Sequence, residues 1–269
     1  MKYFRYGLFT LLVIFIAGCY EITEEISFDA NGSGVYATNM DMSALMEMMK
    51  TMAGEEELAR GGRELARGGL DRAIDTVIPM KRIMEESKDM SAEYKSLYAA
   101  GTMALKMNIK ENIFKADMKV PFNSFEQLQK LMSGSGSGGM SEMFKKIYGK
   151  DENASSSPSD QGLDELNAIF DVTVNNGEIS KKLNKEKYDL LMNKPEIAQM
   201  REMAGAGLEI LYTSVIKLLY TSVIKLPRPV KKSDNPMIKL SDDKKTATIK
   251  YNLLTIFDAP ESFSYSIVY

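Results

Sequence analysis

The chain has 269 residues, 44% hydrophobic and 26% charged, with no histidine, no tryptophan and one cysteine. Lack of histidine removes His-based triads, His-ligated zinc or haem and imidazole acid–base catalysis, and a single thiol excludes an intramolecular disulfide. A net charge of -3 is not the excess of clustered Lys and Arg that nucleic-acid binding requires, so no nucleic-acid partner is expected.

Lys2 and Arg5 flank the start of an apolar run from Gly7 to Ile16, which reads as a signal peptide over residues 1–18 and is too short to span a bilayer. The run ends in Ile16, Ala17, Gly18 and Cys19. This resembles the bacterial lipobox, in which small residues precede a cysteine that is acylated on its thiol and becomes the mature N-terminus. The only cysteine in the chain stands at that point, so Cys19 is the expected lipidation site. Removing 18 of the 269 residues leaves 251 and no free thiol for nucleophilic or redox chemistry. Several acyl chains anchor stably, since each buried CH₂ contributes about 0.8 kcal/mol. Tyr20, and not an aspartate, follows the cysteine. Under Gram-negative sorting that predicts a lipid-anchored envelope protein of the outer membrane, its periplasmic face favoured over the cell surface.

Beyond the anchor, Ile22, Ile26 and Phe28 alternate with polar residues, a turn cluster runs from Asp29 to Gly34, and Tyr36, Thr38, Met40 and Met42 alternate again, which predicts a hairpin. From Ser43, a plain N-cap residue, to about Ala100 the pattern turns helical in pieces: Ala44 to Met52, Leu70 to about Ser87 interrupted at Pro79, and Ser91 to Ala100. Met103, Leu105, Met107 and Ile109, then Phe114, Ala116, Met118 and Val120, predict a second hairpin turned at Lys110 to Asn112. A short helix follows from Ser124 to Met132. Ala168 to Val174, the Asn175–Gly177 turn and a return to Leu183 predict a third hairpin. A helix broken at Pro195 comes next, then strand residues from Leu208, and short strands from Pro227 to Tyr269 with turns at Asp234–Pro236 and Ser241–Asp243.

The expected fold is α+β: antiparallel β-hairpins forming a sheet with helical insertions packed on one side. Residues 19–132 hold the first hairpins and a Met-rich helical insert, 133–165 a flexible Gly/Ser-rich segment, and 166–269 the C-terminal strands and helix of the same sheet or domain. Two local duplications stand out. Residues 57–63 are repeated almost unchanged as 64–70, and Leu211–Leu218 is copied as Leu219–Leu226. An eight-residue insertion keeps every side chain of a strand on its own face.

Six methionines fall between Met40 and Met52. Met42, Leu45, Met46, Met49 and Met52 form an apolar helical stripe suited to a lipid or a partner, with Ile83 and Met84 as its expected opposite wall. Thioethers at these spacings also suit Cu(I), which keeps a copper-binding module open as an alternative. No metal site or cofactor is expected otherwise. Carboxylate catalysis lacks a paired acidic motif and a tryptophan stacking platform, and Ser-x-x-Lys occurs without its partner motifs. No enzymatic activity is expected.

The order of features resembles a group of small Bacteroidetes lipoproteins of unknown function. It comprises the lipobox, Glu24–Asp29 with Asn31–Gly34, Met40–Ser43, Val120–Ser124, Lys225–Val230 and Leu240–Thr246. A weaker similarity is to LppM-type lipoproteins, which share the glycine-turned first hairpin and a late strand followed by Pro-Val. The shared motifs are turns and carry no catalytic residues, and both duplications depart from the pattern. The reading is a membrane-anchored, non-enzymatic protein that binds an apolar ligand, a lipid or an envelope protein, with a structural or assembly partner in the envelope as the other alternative.

Overall fold

A computed structural model describes residues 19–44, 73–86, 91–108, 110–133, 168–195, 197–198, 201 and 217–269. The first hairpin pairs β1 (Cys19–Phe28) with β2 (Gly34–Asp41), and its turn is closed by the Ser33 N–H and hydroxyl donating to Asn31 Oδ1. Gly34 is required by space: a Cβ there would run into the Ser27 carbonyl oxygen and come within 2.6 Å of Phe122 Cζ.

A stretch expected to be helical is instead β3 (Ile74–Pro79), paired antiparallel from Ile74 opposite Met107 to Pro79 opposite Thr102. Ile74, Thr76, Val77 and Ile78 are β-branched and fit a pleated edge better than a helix. Pro79 ends this edge strand, where its missing N–H breaks no ladder. The helix α1 begins only afterwards (Met80–Glu86), and α2 (Ala92–Tyr98) follows, capped by Ser91 Oγ accepting the Tyr94 N–H.

The second hairpin is β4 (Thr102–Asn108) and β5 (Ile113–Phe122), turned through Asn112 at a φ of 55°. Ser124 caps α3 (Phe125–Met132) by accepting the Gln127 N–H. The third hairpin is β6 (Phe170–Asn175) and β7 (Glu178–Leu183), with Gly177 at a φ of 136° supplying the left-handed turn position. Asn184 caps α4 (Lys185–Met192). Then come β8 (Lys217–Lys225), β9 (Lys232–Ser233), β10 (Lys239–Leu240), β11 (Thr246–Asn252) and β12 (Tyr265–Val268). Between β11 and β12 the chain makes two 3-10 turns, Leu253–Phe257 and Pro260–Phe263, in a region expected to hold only strands and tight turns.

The fold is α+β. Its strands form an eight-stranded sheet in the order β10-β11-β8-β1-β2-β5-β4-β3 and a four-stranded sheet in the order β6-β7-β12-β9. The C-terminal strands therefore divide: β8, β10 and β11 extend the sheet of the first hairpins, while the rest build the second. At the centre of the large sheet β1 and β8 run parallel, from Cys19 opposite Lys217 to Ser27 opposite Lys225, an exception to the antiparallel expectation. Parallel neighbours need a long crossover, which the chain between these strands provides.

One hydrophobic cluster joins both sheets and the helices. Phe28 meets Phe122 edge-on at 5.4 Å, and Tyr251 stacks on Phe263 at 4.3 Å. Met40, Met80, Met84, Met103, Met107, Met118 and Met132 are all buried in it, so much of the chain's methionine fills irregular core space.

Candidate functional site

Cys19 opens β1 at one end of the large sheet. Pairing places Asp41 opposite Glu21, Lys115 opposite Asp41, Asn108 opposite Ile113, Ile74 opposite Met107 and Asn252 opposite Leu219. The ends of β2, β4 and β11 and the starts of β3, β5 and β8 therefore share the Cys19 end. The described chain leaves this end after Ala44 and re-enters it at Ala73.

The exit is pinned to β5. The Met42 N–H donates to the Phe114 carbonyl at 2.9 Å, and the Phe114 N–H donates to Ser43 Oγ at 3.1 Å. Ser43 is the expected N-cap of the Met-rich helix; its hydroxyl accepts from the strand, and the helix positions it would cap lie outside the described residues. Asp41 Oδ1 accepts the Ser43 N–H at 3.0 Å, and Asp41 also pairs with Lys115 at 2.8 Å. Partial burial works to raise the Asp41 carboxyl, and the bonds from Lys115 and Ser43 overcome it and hold the group below the usual carboxylate value.

Of the expected binding residues, Met42 is half-buried at this end against the core. Leu45, Met46, Met49 and Met52 lie outside the described residues. Ile83 and Met84 do not form a wall facing Met42. They sit on α1, which leaves the sheet at its other end, and at 6% and 2% exposure they fill the core instead of lining an opening. The Cys19 backbone is the first residue of β1.

The second sheet contributes to the same end. Tyr188 of α4 donates its hydroxyl to the carbonyls of Ile256 and Phe257, in the turn that follows β11. Beyond it, Met192, Ile197, Ala198 and Arg201 line an opening of about 380 Å³, and Leu190 of α4 is 65% exposed. This surface combines apolar side chains with one guanidinium.

Sequence patterning missed a polar cluster between the sheets. Glu24 is 7% exposed and lies on the face of β1 that buries Ile22 and Ile26. Its Oε2 accepts the Tyr36 hydroxyl and its Oε1 the Ser222 hydroxyl, each at 2.9 Å. From β7, Lys181 enters the same interior with Nζ 4.6 Å from the centre of the Phe170 ring and 5.9 Å from that of Tyr220. Burial pushes the Lys181 ammonium below its usual value, against the pull of Glu24. Burial, reinforced by Glu24, holds the phenols of Tyr36, Tyr220 and Tyr265 well above theirs. The Tyr265 hydroxyl is buried without a hydrogen-bond partner among the described residues. Enclosed in this way, the cluster ties β1, β2 and β8 to the second sheet.

Among the described residues no helix is long and apolar enough to cross a membrane, and no group of three or more Cys, Asp or Glu side chains is placed to hold a metal ion. The chain matches no family model, no curated protein and no solved structure.

Proposed function

We propose that the protein is a lipid-anchored envelope lipoprotein whose α+β domain is a non-enzymatic binding module for an apolar ligand, lipid or envelope partner. The observation that carries this reading is the position of the only cysteine. It completes a lipobox-like sequence and lies in the central strand of the large sheet, paired with Lys217. Cleavage before Cys19 and acylation of its thiol would leave no free thiol.

The binding reading is tested on a form that begins at Tyr20, purified without detergent. Lipid extraction should recover a bound lipid, and dioleoyl-phosphatidylglycerol vesicles should raise the melting temperature. No recovered lipid and no thermal response would remove the lipid as ligand and leave an envelope protein as the partner, to be trapped by crosslinking in native envelopes.

A further inference from the structure

Resting on the lipoprotein reading, we infer that the Cys19 end of the large sheet is a membrane-contact surface and that its occupant is the bilayer that receives the acyl chains. The anchored residue has no spacer. Cys19 already pairs with Lys217, and Ile22, three residues on, is in the core at 7% exposure. At about 3.3 Å per residue the packed domain begins about 10 Å from the acylated atom. The headgroup layer is roughly 5–8 Å deep on each side of the hydrocarbon. A domain held this closely cannot swing its other end onto the bilayer.

The surface at that end suits the interface. Half-buried Met42 lies at that end, and the opening lined by Met192, Ile197, Ala198 and Arg201 follows the helix whose Tyr188 is bonded to the turn after β11. The opposite end carries the polar β1–β2 turn, Asp29 to Ser33, and the helices α1, α2 and α3. The bilayer is thus the one occupant continuous with the anchor.

The test uses the full acylated chain, in which the native thiol is consumed, so one introduced cysteine is the only site for a label. Lys110→Cys places an environment-sensitive fluorophore in the exposed β4–β5 turn at the Cys19 end. Ala30→Cys places it in the exposed β1–β2 turn, about 30 Å away along β1. In phosphatidylethanolamine/phosphatidylglycerol vesicles carrying a headgroup nitroxide lipid, the label at position 110 should be quenched several-fold more than that at position 30. Equal quenching, stronger quenching at position 30, or none at either in membrane-bound protein overturns the orientation alone. A chain that stays in the soluble fraction with a reactive Cys19 thiol overturns the anchor reading and the orientation together.

Discussion

Glu24 occupies a position that the two-residue period of β1 assigns to the core, between Ile22 and Ile26, and it is kept there by hydroxyl donors from two other strands. A buried carboxylate stripped of its partners costs far more than a satisfied one. Glu24→Ala would leave the hydroxyls of Tyr36 and Ser222 unpaired and is expected to cost roughly 2–5 kcal/mol in urea unfolding. The triple variant Glu24→Ala/Tyr36→Phe/Ser222→Ala should lose less than the single one, because the orphaned donors are gone. A single variant within experimental error of wild type would refute the assigned role. Lys181 adds a pH dependence. Its native value lies below the ordinary 10.5, so between the two the unfolded chain binds more protons and stability rises with pH. The phenols of Tyr36, Tyr220 and Tyr265 lie above the ordinary 10.0, so beyond that value the unfolded chain loses protons that the native state keeps, and stability falls. Urea midpoints should therefore peak on the alkaline side of neutrality. Lys181→Met should flatten the rising limb and leave the falling one, and an unchanged rising limb would contradict this account.

The elements that were legible in the sequence are those closed by local chemistry. Asn31 to Gly34, Asn112 and Gly177 announce the three hairpins, and Ser91 and Ser124 announce two helix starts, because each signal acts within a few residues. What was not legible depends on distant partners. The short apolar run of β3 fits a helix as well as a strand until β4 is present to pair with it. The parallel seam between β1 and β8 joins residues about two hundred positions apart, as does the bond from Ser222 to Glu24. Polarity alone does not reveal a carboxylate whose donors lie on other strands, so the alternation in β1 gives Glu24 no role. The signal was present nonetheless, as a charged residue at the apolar parity of a strand.

The duplication tests this logic directly. The second copy supplies Tyr220, Ser222 and Ile224 to the inner face of β8. Deleting residues 211–218 leaves that copy in place and puts Glu209 and Ile210 directly before Leu219. The shortened protein should keep the strand and unfold within about 1 kcal/mol of wild type, because an even deletion preserves facing. Inserting one alanine between Thr221 and Ser222 is an odd change inside the strand, puts Tyr220 and Ser222 on opposite faces, and should abolish cooperative unfolding. Equal stability of the deletion and the insertion would refute the assigned register.

At the scale of the whole molecule, the lipobox-like cysteine stands at one end of the central strand of the large sheet. Without a linker the lipid would fix the domain's orientation as well as its address, and the polar cluster would keep the central strand in register behind the anchor. The expected outer-membrane address follows from Tyr20, and density fractionation of envelopes should place the protein with outer-membrane markers. Replacing Tyr20 by Asp, the retention signal of familiar sorting, should move it to the inner-membrane fraction, and an unchanged distribution would argue against this route. The most direct measurement is the mass of the N-terminal peptide of protein extracted from its native membrane. The account predicts a chain beginning at Cys19 with a thioether-linked diacylglycerol, absent in Cys19→Ala, whose protein retains residues 1–18. A wild-type chain whose Cys19 is unmodified and reacts with maleimide would contradict it.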